Sequence, residues 1–197
     1  MALPVFIDAN ALMPISLADL LLRVTEEGLI EPFWSEHVLH AALAAAKRHR
    51  PDLDPAALDK RFAAMRQAFP DAMVDDASAE PDGYPSPDPE DQLVMAAADR
   101  SPADVIITRN LRDFPPATLR RYGLRAQTPD QLLLDLLESN PDQLLAAFDA
   151  MRAAMKSPPL TFDQMLENLG KAGVPEFAKA MAPRTRTAFN DALNPKS

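Results

Sequence analysis

Three acids in this sequence stand where a carboxylate can do chemistry: Asp8, Asp91 and Asp113. Asp8 ends the apolar run Val5-Phe6-Ile7. Asp113 follows Asp104-Val105-Ile106-Ile107-Thr108, the clearest strand in the chain, by way of Asn110. Asp91 opens an alanine-rich helical segment behind a loop. In open α/β sheets, ligands bind at the carboxyl ends of the parallel strands. If the strands ending near Asp8 and Thr108 are neighbours, Asp8 and Asp113 converge on one sheet edge, and Asp91 can join them. Converging carboxylates repel one another, and a divalent cation is the usual resolution. Few ligands and room for water suit Mg²⁺ or Mn²⁺. Such an ion lowers the pKa of bound water and stabilises in-line displacement at phosphorus. Convergence therefore predicts metal-assisted phosphodiester hydrolysis. Each acid also has an ordinary reading. Asp91 suits a helix dipole and Asp113, before Phe114-Pro115, suits a turn. Asp8 is harder to explain this way, because burying a carboxylate without a partner is costly.

The elements that must position these acids are legible from periodicity and punctuation. Val5–Ile7 reads as a buried strand. Leu17, Leu20, Leu21 and Val24 recur at helical spacing before Gly28. Ser35 can cap a helix running from Glu36 to about Arg48, stopped by Pro51. Pro55 to Phe69 predicts another helix, with Pro55 in its first turn. Ala72-Met73-Val74 suits a short strand, and residues 77–89 form a loop rich in Pro, Asp, Ser and Gly. A helix over Glu90–Arg100, the strand at 104–108, a last strand at Leu124–Gln127 and a helix from Pro129 to Leu137, capped by Thr128, complete the region. Strands separated by helices imply a central parallel sheet with helices on both faces, a three-layer α/β/α domain over residues 1–138. Residues 139–197 form a small C-terminal helical region: an amphipathic helix at Asn140–Met155, a break at Ser157-Pro158-Pro159, and short helices at Thr161–Ala172, Glu176–Met181 and Arg184–Leu193.

Composition narrows the classes. Hydrophobic residues make up 47% of 197, enough for a sizeable core. No run approaches the ~18 apolar residues of a membrane span. The start, MALPVFIDAN, lacks a basic region and meets Asp8, which reads as a strand rather than a signal peptide. Cysteine is absent, which excludes disulfides and thiolate metal sites and fits a cytoplasmic protein. Three histidines leave little for zinc, whereas 29 acidic residues leave ample oxygen ligands. The net charge of -9 opposes general attraction to nucleic acid unless charge is segregated. Two basic clusters exist, Lys47, Arg48, Arg50, Arg61 and Arg66, then Arg109, Arg112, Arg120, Arg121 and Arg125. Both read equally well as solvated helix surface.

Four segments together resemble a known family. Val5-Phe6-Ile7-Asp8-Ala9-Asn10 is similar to the opening strand and D-x-N motif of PIN domains. Asp88-Pro89-Glu90-Asp91, continuing to Ala98, resembles the D-P-x-D-x-x-V-x-A-A-A segment. Thr108-Arg109-Asn110-Leu111-Arg112-Asp113-Phe114-Pro115 resembles T-x-N-L-x-D-F-P, and Trp34-Ser35-Glu36 resembles the W-S-E opening of an early helix. The resemblance covers residues 3 to about 137, and the helical extension matches a subgroup of VapC-type ribonuclease toxins. It implies an endoribonuclease dependent on Mg²⁺ or Mn²⁺, an RNA substrate, a cognate antitoxin, and a homodimer. Metal-site roles carry over to Asp8, Asp91 and Asp113. Asn10, Thr108 and Asn110 would support the site, with Asp88 auxiliary.

The sequence departs from the family at one informative place. Similar chains carry a Glu six residues after the Ser of W-S-E, and here that position is Ala41, flanked by His40 and Ala42. This removes one carboxylate from an expected four and predicts weaker metal binding. A tolerated three-acid site, a degenerate or inactivated chain, and partial substitution by His37 one turn earlier are the three explanations. Competing folds fit less well. A receiver domain needs an acidic pair before its phosphorylated Asp, which Leu3–Ile7 lacks. A haloacid-dehalogenase phosphatase needs D-x-D, and the second position here is Asn10. A catalytically degenerate module that docks a basic antitoxin or RNA segment remains the alternative to an enzyme.

Overall fold

The computed structural model describes residues 2–75, 83–86, 88–155 and 160–193, with side chains through residue 184. Most of the expected 77–89 loop and the expected break at 157–159 lie outside the described residues. By internal contact the chain divides into two units, Met1–Ile15 with Ile30–Thr128, and Ser16–Leu29 with Pro129–Ser197.

The first unit is built on a five-stranded sheet. β1 spans Leu3–Ile7, β2 Ile30–Ser35, β3 Met73–Val74, β4 Val105–Ile107 and β5 Arg125–Gln127. Their order is β3-β2-β1-β4-β5 and every pairing is parallel. The expected α/β class, a central parallel sheet with helices around it, is what the chain adopts. β1 is central and aligns Val5, Phe6 and Ile7 with Val105, Ile106 and Ile107. All six of these side chains are fully buried, so these strands read as uninterrupted apolar runs, as sheets covered on both faces do. The strand order turns back on itself between β1 and β4. Such a switch point opens a crevice beyond the strand ends.

β2 is an element that the sequence pattern hides. Pro32 lies within it and Glu31 is exposed, and a proline demotes a segment as a strand candidate because it lacks a ladder donor. Here Trp34 and Phe33 supply the burial that fixes the strand. Around the sheet lie α1 (Ala9–Leu12), α3 (Glu36–His49), α4 (Pro55–Ala68), α5 (Pro89–Asp99) and α6 (Pro116–Leu119). Side-chain oxygens start three of them. Ser35 accepts from the Val38 amide, Asp54 from Ala56 and Asp88 from Glu90, each satisfying a donor that the first turn leaves open.

The second unit holds α2 (Ile15–Glu26, from Ser16), α7 (Pro129–Ser139), α8 (Pro141–Ala154), α9 (Phe162–Lys171) and α10 (Pro175–Leu193). Each buries an apolar stripe, as Leu132, Leu133, Leu136 and Leu137 do on α7. α7, placed with the first region in the sequence reading, joins this unit. Its Asp130 carboxylate accepts from the amides of Glu176 (3.2 Å) and Phe177 (2.8 Å), capping α10. Thr161 and Gln164 form a capping box on α9. The two short helices expected at 176–181 and 184–193 are one helix with Pro183 inside it. An internal proline removes one backbone bond rather than the whole helix, and the Arg184 guanidinium reaches back to the Ala180 carbonyl at 3.1 Å.

Trp34 is fully buried, donates its indole N–H to Met73 Sδ at 3.2 Å and meets the Phe69 ring edge-on. Trp34→Ala is expected to lower unfolding free energy by about 3–5 kcal/mol, read from the midpoint of urea denaturation. An unchanged midpoint would show that β2 does not depend on this anchor.

Candidate active site

Among the described residues, the buried polar or charged ones are Asp8, Ser35 and Thr108. All three lie at the carboxyl ends of adjacent strands, β1, β2 and β4. Interior polar groups are tolerated only with hydrogen-bond partners, and no buried side-chain N or O among the described residues lacks one.

Asp8 is the N-cap of α1 but makes no side-chain cap hydrogen bond there. Its backbone N–H extends the β1–β4 ladder to the Ile107 carbonyl at 3.0 Å. The carboxylate instead receives side-chain donors, the Thr108 hydroxyl at 2.7 Å and the Asn10 amide at 2.6 Å, both on Oδ2. Asn10 also donates to Thr108 Oγ1 at 3.0 Å, and its carbonyl accepts from the Arg109 amide at 2.8 Å. Thr108 Oγ1 further accepts from the Asn110 amide at 3.1 Å. One network therefore ties the end of β1 to the turn after β4. Asn110 continues outward and donates to the Asp113 carboxylate.

The acids feel one another. Burial pushes the Asp8 carboxyl above its ordinary value, opposed by the Thr108 hydroxyl and by the amides of Ala9 and Asn10, and raised further by the charge on Asp113. Asp91 is pushed up to about 7, first by burial, then by Asp113, Asp88, Asp8 and Glu90. The charge of Asp113 therefore reaches both Asp8 and Asp91, and that of Asp8 reaches Asp91. Glu90 contributes as well, a residue the sequence reading did not single out; its position next to Asp91 was the available signal. Asp88 is engaged as the cap of α5, accepting from the Glu90 amide at 2.9 Å.

Among the described residues, no group of three His, Cys, Asp or Glu side chains is close enough to hold a metal ion, and this includes His37. The donor set is all oxygen, with Asp8 and Asp91 raised first by burial and then by neighbouring acids, and that chemistry fits a hard divalent cation. Ala41 lies half-buried on α3, the helix that packs against α1 directly after Asp8.

The fold and these residues define an α/β domain with a buried, hydrogen-bonded Asp8 at the switch point of a parallel sheet. Residues 4–112 match the family model described as the PIN domain, more than half of the 197 residues, and the chain belongs to the PIN-domain family. Residues 129–183 match a second family model, described as the VapC50 C-terminal domain. A curated protein of Mycobacterium tuberculosis (strain ATCC 25618 / H37Rv), named "Putative ribonuclease VapC50", is 40% identical over 89 residues, which is 45% of this chain and 52% of that protein. The match thus spans about half the length of that relative. No solved structure gives a significant match.

Because Asp91 rises from 3.8 to about 7 on folding, the folded state holds its proton more tightly than the unfolded state. The associated stability is fully present below pH 3.8 and is lost as pH rises through about 7. In EDTA, Asp91→Asn is therefore expected to raise the melting temperature relative to the native chain at pH 8 and to change it little near pH 3.5. An equal effect at both pH values would count against the repulsion.

Proposed function

We propose that the chain is a Mg²⁺- or Mn²⁺-dependent endoribonuclease toxin of a toxin–antitoxin pair, acting in the cytoplasm on RNA and restrained by a cognate antitoxin. The observation that carries this reading is the buried Asp8, held by Thr108 and Asn10 at the switch point and crowded by Asp91 and Asp113. The "Putative ribonuclease VapC50" likeness and the match of residues 129–183 support the same reading. A homodimer belongs to it. Along the sequence the nuclease domain is taken as residues 1–138 and the helical region as 139–197, with α7 at the end of the first stretch packing in the second unit.

Asp8, Asp91 and Asp113 are the proposed catalytic and metal-holding residues. A divalent ion bound there would supply neutralising charge, a more acidic water and stabilisation of charge developing at phosphorus. The protein's own part is orientation. Thr108 and Asn10 fix the Asp8 carboxylate, Asn110 orients that of Asp113, and Asp88 secures the helix start that carries Asp91. Holding charged groups ready before the reaction is what makes electrostatic stabilisation effective.

One feature favours a second reading. Ala41 stands where related sequences place a Glu, so the chain is either a weakened nuclease or a degenerate PIN-fold module that docks a basic antitoxin or RNA segment. The two differ in one assay. Incubating a structured RNA with the full chain should give cleavage that stops in EDTA and returns with Mg²⁺ or Mn²⁺. Asp8→Asn should reduce the rate by about 10²–10³-fold or more. Full activity of that variant would remove Asp8 from the site, and no metal-restored cleavage by the native chain would leave the binding module. Ala41→Glu is expected to increase cleavage and tighten Mn²⁺ binding in calorimetry; unchanged values would mean that the fourth acid is not needed.

A further inference from the structure

The two basic clusters are treated differently by the fold. In the first, Lys47 pairs with Asp59 at 2.7 Å, Arg50 with Asp52 at 2.7 Å and Arg66 with Glu36 at 2.5 Å. Arg61 donates to the Ile15 carbonyl at 3.1 Å, and only Arg48, which is exposed, has no ion pair or hydrogen bond of its side chain among the described residues. In the second, Arg109, Arg112, Arg120, Arg121 and Arg125 are all exposed, and none forms an ion pair among the described residues. Arg125 reaches the Gln127 side chain at 3.4 Å. In a chain of net charge -9, acids are plentiful, yet among the described residues none is paired with this strip.

The topology sets these arginines in a line. The chain leaves β4 at its carboxyl end, where Arg109 and Arg112 flank Asn110 and adjoin Asp113. α6 and the 3₁₀ turn Arg120–Tyr122 carry it back to the amino end, where Arg125 opens the edge strand β5 opposite Val105. The strip thus follows the β4–β5 connection, from beside Asp113 at the carboxyl end of β4 to the start of the edge strand β5. Three paired residues at about 3.3 Å each span about 10 Å, roughly three nucleotides of a stacked strand at about 3.4 Å each. At the far end is a cavity of about 440 Å³ with Arg120 and Arg125 beside Pro116 and Leu124, and Asp104 as its acid. That size and partly apolar lining suit an unstacked base between phosphate-binding arginines.

We propose that Arg109, Arg112, Arg120, Arg121 and Arg125 form the track that holds the phosphate backbone of single-stranded RNA leading into the acidic site, with the cavity taking a base at its far end. This rests on the ribonuclease reading and adds where the strand lies. Uncompensated guanidinium groups gain by binding phosphate and releasing its counterions, and the track localises that attraction on a chain whose total charge opposes it.

The test is binding of a fluorescein-labelled, mixed-sequence single-stranded RNA to the full chain in EDTA, by anisotropy across a range of NaCl. For Arg120→Gln/Arg121→Gln/Arg125→Gln, the slope of log K against log salt should fall by about 2, with affinity about 100-fold weaker near 0.1 M salt. Arg120→Lys/Arg121→Lys/Arg125→Lys, which keeps the charge, should retain the native slope and guards against loss through misfolding. Lys47→Gln/Arg50→Gln/Arg66→Gln removes the same charge from the paired cluster and should change the slope little. Equal weakening by both Gln variants would mean bulk charge and overturn the track. So would polyglutamate competing with RNA at equal charge, which would mark a surface for an acidic protein. If native chain binds RNA and the 120/121/125 variant binds identically, the track fails alone; if native chain neither binds nor cleaves RNA, the ribonuclease reading fails with it.

Discussion

A carboxylate buried in the middle of a parallel sheet is the constraint around which this domain is arranged. Asp8 follows the central strand β1 and is only 6% exposed, in a place where an unpartnered charge would be expelled or neutralised. The fold answers with donors from the adjacent strand end. Thr108 can reach Asp8 only because β4 lies beside β1 in register, Ile7 against Ile107. Asn10 can bridge both because the chain turns into α1 directly after Asp8. Moving either strand by one residue would reverse which face its side chains meet and leave a buried acid without partners.

The donors stabilise Asp8 but do not cancel its charge, and the remaining acids increase the difficulty. Burial first, and then repulsion from Asp113 and the neighbouring acids, raises Asp91 well above an ordinary carboxyl. A fold under selection only for stability would replace such acids with apolar or amide groups. Strain of this kind concentrates where a site is prepared for a ligand, and an acidic crevice at a strand-order reversal is where α/β domains bind theirs. The charge pattern of the rest of the unit agrees. Around α3 and α4, Lys47, Arg50 and Arg66 are tied to acids, whereas among the described residues the arginines between β4 and β5 form no ion pair.

The second unit obeys simpler rules. Its helices are amphipathic, buried along leucine, phenylalanine and methionine stripes, and joined by specific caps such as Asp130 on α10. The match of residues 129–183 to the VapC50 C-terminal domain begins at Pro129, the same residue at which this part of the unit begins. It contains no buried charge among its described residues.

The sequence by itself determined the short apolar strands β1 and β4, the capped helices at Ser35 and Pro55, the absence of thiol chemistry, and the three acids, because strand ends, caps and composition are local signals. Motif order was enough to point to the PIN family. Only the tertiary structure decided what depends on distant neighbours. β2 exists because Trp34 and Phe33 find a core, despite Pro32, and α10 continues through Pro183. Likewise α7 joins the second unit because Asp130 meets α10, far along the chain. The acids were visible as residue types, but their shared field and the Thr108–Asn10 network arise from strand order, and whether an arginine is paired is fixed by which acid the fold brings within about 4 Å. Sequence therefore named Asp8, Asp91 and Asp113; the parallel pairing of β1 with β4 set Thr108 beside Asp8, and the fold brought the charges of Asp8 and Asp113 to bear on Asp91.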